Sequence, residues 1–307
     1  MELNKIDKEL LATISDLHQI PEGAYNIRKD GELVSRNTSA NIDIITKKDK
    51  SGIDIIIKDG TKNESLHIPV IVSRAGLKDL VYNDFYIGKD CEITIVAGCG
   101  IACGSSEDNG HDGIHSFFVG ENSKVTYVEK HYATGKGSGK RILNPITNVE
   151  LKKNAYMKME TVQIGGVTFA ERTTNAVLDD ASVLEISEKL MTAGDDYAKT
   201  VFNVDLDGKD CSAHVVSRAV AKENSKQIYI SAVNGNNKCY GHTECDAIIM
   251  DNANIVAKPE ISAKSTDASL IHEAAIGKIA GDQLVKLQTL GLTEKQAEAE
   301  IIKGFLK

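Results

Sequence analysis

Two groups of residues in this 307-residue chain have the types and spacing that metal or sulfur chemistry requires. The first is Cys239, His242 and Cys245, followed by the adjacent pair His272 and Glu273. Thiolate, imidazole and carboxylate together suit iron or zinc, and thiolate is the preferred iron–sulfur ligand. The second lies in GCGIACGSSEDNGHDGIHSFF, where Cys99, Cys103, His111 and His115 offer four ligands to zinc or iron. Gly110, Gly113 and the acidic residues nearby place those histidines on turns rather than on one helix face; a loop carrying Cys and His without a metal is the alternative. A third stretch, GKGSGKR at 135–141, only superficially resembles a phosphate loop. Thr134 stands where the first glycine is needed and Arg141 where Ser or Thr is needed. It reads as a flexible basic loop, so any ATP hydrolysis falls to another chain. No nucleophile elbow, HExxH or dinucleotide fingerprint is present.

Composition narrows the classes. Lys and Arg number 36 against 44 Asp and Glu, a net charge of −8, which gives no general attraction to nucleic acid or anionic membrane. No apolar run approaches the ~20 residues of a spanning helix, and MELNKIDKEL is too polar for a signal peptide. A cytoplasmic protein is expected. Six cysteines in a reducing compartment remain thiols, so clustered ones read as metal or sulfur ligands rather than a disulfide framework.

The elements that must position these residues are mainly strands. Leu3, Ile6, Leu10, Ile14 and Leu17 recur at steps of three and four and predict an amphipathic helix within 1–20, ended by Pro21 and Gly23. From Tyr25 the pattern becomes short alternating runs such as NIDIIT, EITIVA and KVTYVEKH, the mark of half-buried strands. The near absence of helical patterns between them excludes a doubly wound fold. A phrase of polar pair, small residue and alternating run recurs, with the small residue at 91, 123, 155, 181, 211, 225 and 253. The steps are 32, 32, 26, 30, 14 and 28, the 14 being half a unit. That periodicity predicts a β-solenoid over 21–268, with a β-sandwich as the alternative. Cys91 and Cys211 occupy the small slot and are expected as buried corners. The 27-residue separation of Cys245 and His272 is close to one period, which would set them side by side on adjacent coils about 4.8 Å apart.

Past Ala268, Leu270, Ala274, Ile276, Ile279, Leu284 and Leu287 predict a helix over 270–290. A second helix should start at a capping box of Thr293 and Gln296. Residues 269–307 thus form a helical segment that either docks a partner or caps the solenoid.

GHTECDAIIMDNANIVAKPEI and HEAAIGKIAGDQLVKLQTLGLTEKQAEAEIIKGFL closely resemble the C-terminal core of the SufB/SufD family of iron–sulfur cluster assembly scaffolds. DGIHSFFVGENSKVTYVEKH looks like the upstream part of that core, and the likeness covers roughly residues 80–307. It implies a right-handed parallel β-helix with flanking helices, a transient iron–sulfur cluster, and no enzymatic turnover. It also implies a SufC-type ABC ATPase engaged through residues 269–307 and subunits paired through their β-helix cores. By this resemblance Cys245 matches the cysteine of nascent cluster assembly in SufB, Glu273 a SufB glutamate, and His272 the histidine that SufD contributes at their interface. One chain carrying all three implies a homodimer with two ATPase subunits. Cys239 and His242 are supporting candidates. The chain departs from the family by lacking most of the N-terminal region of typical SufB proteins, and in the stretch from Cys99 to His115. The resemblance names no sulfur donor. The alternatives are a structural zinc protein organised by Cys99, Cys103, His111 and His115, or a β-helix lyase or hydrolase using Asp195 and Asp196, which sit in a turn-like GDDYA.

Overall fold

The computed structural model of the protein describes residues 4–15, 17 and 21–307; Leu3 of the expected first helix lies outside them. Helix α1 (Lys5–Ser15) buries Leu10 and Ile14 of the expected stripe together with Leu11, while Ile6 is exposed and Leu17 lies beyond the helix end. Asn4 and Asp7 close its first turn reciprocally, each side chain accepting from the other's backbone N–H at 2.9 and 2.8 Å. Strands β1 (Ala24–Lys29) and β2 (Glu32–Asn37) form an antiparallel hairpin, and β3 (Ile42–Thr46) and β4 (Gly52–Ile57) another.

Thereafter the chain winds regularly. It passes through β5 (Lys62–Val72), β6 (Lys78–Ile87), β7 (Glu92–Ala102), β8 (Asn109–Val119) and β9 (Lys124–Thr134). Next come β10 (Arg141–Leu143), β11 (Ile146–Leu151), β12 (Tyr156–Ile164), β13 (Phe169–Leu178) and β14 (Val183–Thr192). The last strands are β15 (Tyr197–Leu206), β16 (Cys211–Ala221), β17 (Lys226–Gly235), β18 (Cys239–Ile249), β19 (Asn254–Ala263) and β20 (Ser269–Gly277). They stack into two sheets. One is ordered β2-β1-β5-β7-β9-β12-β14-β16-β18-β20, the other β19-β17-β15-β13-β10-β8-β6-β4-β3, with β11 continuing β10 between β13 and β8. Pro145, which has no N–H to give the ladder, falls in the gap between β10 and β11. Apart from the two hairpins every pairing is parallel, so each coil contributes one strand to each sheet. The result is a β-solenoid of about 8 turns.

The repeated phrase is the turn between sheets. Asp90, Asn122, Asn154 and Asp210 have φ between 56° and 59°, a left-handed conformation that Asn and Asp tolerate because their short side chains bond locally. The following small residue turns into the corner: Cys91, Ser123, Ala155 and Cys211 are all buried. The fourth unit differs from the sequence expectation. Ala181 itself takes the left-handed position (φ 53°), and Ser182, wholly buried, fills the corner. The half unit is real, because Ser225 lies in the turn from β16 to β17, across from the turn that leads into Cys211 at the start of β16. Coil length is not constant: neighbouring coils are bridged by Asn122–Asn154 at a separation of 32, Asn148–Asn175 at 27 and Asn175–Asn203 at 28.

The basic loop at 135–140 is not free. Gly137 and Gly139 donate N–H bonds to the carbonyls of Cys103 and Ser105, both at 3.1 Å, stacking this turn on the one below. A Cβ at Gly135, Gly137 or Gly139 would strike the carbonyls of Cys103, Ser105 or Glu107. Its glycines serve close backbone approach, not phosphate.

The C-terminal expectation changes most. Residues 269–277 are not helical but form β20, paired in parallel with β18. Leu270, Ala274 and Ile276 satisfy a period of two as well as a helical one, and the ladder from β18 decides between them. Helices follow only at α2 (Gly281–Thr289) and α3 (Glu294–Phe305), the latter begun by the expected box of Thr293 and Gln296. Ile302 and Leu306 bury against Val220, Met191 and Ile248 on the flank of the sheet. The helices therefore do not cap the solenoid: β20 and β19 end their sheets with one edge each unpaired.

Candidate functional site

In β18, alternation sends Cys239, Gly241, Thr243, Cys245 and Ala247 inward and the residues between them outward. The register with β20 pairs Thr243 with His272, Glu244 with Glu273 and Cys245 with Ala274. Cys245 and His272 do occupy adjacent coils and the same inward file, but two positions apart rather than side by side. Glu273 and His242 point out on the opposite face. Cys239 is inward at the far end of the strand, opposite Cys211. The five residues that cluster in sequence are thus divided by the strand itself.

Cys245 is 1% exposed; burial, then the nearby Glu188 and Asp246 carboxylates, push its thiol up to about 12. Its coil neighbour Ser217 donates to Glu188 at 2.7 Å. The thiol lines a water-sized cavity of ≈ 10 Å³ with Glu188, Thr200, Ser217 and Tyr229. His272 meets Thr243 through Nδ1 at 2.6 Å, while its Nε2 is buried without a hydrogen-bond partner. Burial, then His242, lowers His272 below the usual histidine range and favours the neutral ring, the form that ligates metal.

Below Cys245 the core carries charges that single-strand alternation hides. Arg172 is ion-paired with Glu129 and lies 3.8 Å from Glu188; its guanidinium also donates to His131 at 2.9 Å. All four are buried. Tyr127 donates its O–H to Glu129 at 3.0 Å. His115 must then donate from Nδ1 to Tyr127 (2.8 Å) and accept at Nε2 from Asn83 (3.2 Å), which describes a neutral ring. Burial lowers it to about 4, against the opposing pull of Glu129. The signal for this file was available in part: Glu129 shares the inward parity of Val125 and Tyr127 within β9.

The second expected metal group comes together only in part: Cys99, His111 and His115 line one cavity of ≈ 10 Å³ with Glu129 and His131, and Cys103 is not in that lining. Gly110 and Gly113 lie within β8 rather than in turns. His111 bonds Asp79 at 3.2 Å and His115 is committed to Tyr127 and Asn83. Cys103 faces the carbonyls of Ser105, Glu107 and Gly139, and Cys99 is buried with its thiol pushed well up by burial. Asp195 and Asp196 sit at the turn between β14 and β15, where Asp196 accepts from the backbone N–H of Ala193 at 3.2 Å. Among the described residues, one set of three His, Cys, Asp or Glu side chains brings its ligand atoms within 4.8 Å of one another: His242, Glu244 and Glu273. Glu244 was missed by reading cysteines and histidines alone; its signal is outward parity with His242.

Residues 83–305 match the SUF system FeS cluster assembly, SufBD core domain. The chain belongs to the SufBD family. An iron–sulfur cluster assembly SufBD family protein of Pyrococcus horikoshii is 28% identical over 281 residues, covering 90% of this chain and 84% of that protein. One of Methanocaldococcus jannaschii is 24% identical over 310 residues, covering 97% and 96%. A chloroplastic SufBD family protein of Arabidopsis thaliana is 26% identical over 64% of this chain and 37% of its own length. This SufBD chain is therefore an iron–sulfur cluster assembly protein built on a β-solenoid. No helix among its described residues is long and apolar enough to cross a membrane.

Proposed function

We propose that this chain is a scaffold rather than an enzyme, gathering iron and sulfide as cargo at Cys245, His272 and Glu273 between two copies of itself. The observation that carries the reading is the inward file under the last coil: a buried thiol and, two positions along on the adjacent strand, a histidine whose Nε2 is buried without a hydrogen-bond partner. A buried polar atom without a partner costs about 1–3 kcal/mol, which an incoming ligand would recover. A thiol held near 12 is a poor nucleophile on its own, but coordination removes its proton outright.

The second copy is suggested by the open end. The unpaired edge of β20 offers free N–H and C=O groups, flanked by exposed Ile271 and Ile276. Pairing there across a two-fold axis is self-complementary and presents His272 and Glu273 from both chains. The partner ATPase of the SufC type would dock on α2 and α3. α2 buries none of its residues, and Val285 and Leu290 are 58% and 72% exposed. Only residues 278–280 separate α2 from β20, so force on the helix passes directly into the strand that carries His272 and Glu273. ATP-driven movement of the partner would open the last coil and expose Cys245.

Cys245→Ser tests this. Reconstituted anaerobically with ferrous iron and sulfide, the parent should develop the visible absorption of an iron–sulfur cluster and the variant should not, with its β-sheet circular dichroism unchanged. Equal cluster yield in the folded variant removes Cys245 from the site and the proposal with it.

A further inference from the structure

The outward face of β18 and β20 carries a second constellation that shares only Glu273 with the proposed cargo site. His242, Glu244 and Glu273 converge there, with His242 Nε2 3.3 Å from a Glu273 carboxylate oxygen. Their placement follows from the pleat. Glu244 and Glu273 are direct register partners across parallel strands, and His242 lies two residues along the same face from Glu244. The donors sit on rigid strands in the middle of the ladder rather than on a loop. His214, the register partner of His242 on β16, stacks on its ring at 5.0 Å and 7° between planes. That stack holds the imidazole upright and leaves its edge free. The side chain of His242 is 19% exposed and that of Glu273 64% exposed, so the cluster is both built and open to solvent.

We propose that His242, Glu244 and Glu273 of a single chain bind a divalent first-row transition ion on the outer face of the solenoid. One imidazole nitrogen and two carboxylates suit Fe²⁺, Mn²⁺ or Zn²⁺, and the lack of a thiolate disfavours Cu⁺ and assembled clusters. The ion replaces the proton that otherwise links His242 to Glu273, and it offsets the repulsion between two carboxylates on adjacent coils. Water fills the remaining coordination positions on the exposed side. Strand β20 then separates an oxygen- and nitrogen-lined ion site outside from a sulfur-lined site inside. That the ion is iron awaiting transfer to the inward pair rests on the proposed scaffold function; that a divalent ion binds here does not.

Cobalt(II) titration of the anaerobically purified full chain tests the site, because its d–d bands report geometry and its near-ultraviolet charge-transfer band reports thiolate. The expected result is one saturable Co²⁺ per chain with d–d absorption and no thiolate band. Loss of a ligand should cost at least what loss of an outer-shell partner costs, about 10–100-fold in affinity. His242→Gln and Glu273→Gln should both show it, the latter at an exposed position where folding is not at stake. Cys245→Ser should bind Co²⁺ as the parent does, even though it is expected to lose cluster reconstitution. No saturable binding, unchanged affinity in both Gln variants, or a thiolate band that disappears in Cys245→Ser overturns the proposal. Failure of the scaffold reading would appear separately, as normal cluster yield in Cys245→Ser.

Discussion

Arg172→Met is the sharpest perturbation of the core that underlies Cys245. Arg172 is set between two buried carboxylates, Glu129 and Glu188, and it is itself buried. Methionine of similar length fills the space but leaves both acids without the guanidinium, with the hydroxyl donors Tyr127, Thr200 and Ser217 still on them. Breaking a buried ion pair by removing one partner costs about 3–5 kcal/mol, a large share of the roughly 5–15 kcal/mol that holds a domain together. With a urea dependence of about 3 kcal/mol per molar, the unfolding midpoint should fall by about 1 M or more. The deficit should also depend on pH. Burial raises the Glu129 carboxyl, but His131 and Arg172 outweigh it and hold the group well below the usual range. In the parent that depression contributes stability above the unfolded carboxyl pKa, and the contribution is lost as pH falls. Without Arg172 the acid is less depressed, so the gap between variant and parent should be full above the ordinary Glu pKa of about 4.3 and narrow as pH falls below it. Adding Glu129→Gln should recover part of the loss, since the two residues are directly coupled. A midpoint within about 0.3 M of the parent (about 1 kcal/mol at the same slope), or no recovery in the double variant, would refute the reading of this file as a paired charge network.

Two further outcomes follow from the same packing. His115 is depressed from 6.5 to about 4, chiefly by burial, so the unfolded chain binds the extra proton between those values. Its contribution, about 3 kcal/mol, is complete above pH 6.5 and disappears as pH falls toward 4; urea melts at pH 7.5 and 4.5 should show it, and His115→Asn should flatten that part of the slope. Gly98 lies beneath α1, where a Cβ would stand 2.5 Å from the Ile14 carbonyl oxygen and 2.9 Å from that of Lys130. Gly98→Ala should therefore lift α1 from the sheet at a cost of about 1–3 kcal/mol, seen as faster amide exchange in residues 5–15 with the distant coils unaffected.

The repeat phrase, the small corner residues and the alternating runs were enough to specify the solenoid, because each is a local property. A polar pair supplies the left-handed turn, a small side chain fits the corner, and period two assigns faces strand by strand. The family likeness was equally legible, being carried by contiguous residues. What the sequence by itself could not decide was register between coils. Coil length varies from 27 to 32 residues, so a separation of 27 between Cys245 and His272 could not reveal that Thr243, not Cys245, faces His272. A shift of one residue in a strand moves a side chain to the other face, and that is why His242 and Glu273 joined Glu244 outside while Cys245 and His272 stayed inside. The first part of the helix expected over 270–290 failed for a related reason: an apolar pattern compatible with both periods becomes a strand when a neighbouring coil offers its unpaired edge. Residue types set which chemistry was available; the ladder between coils decided which residues could share it.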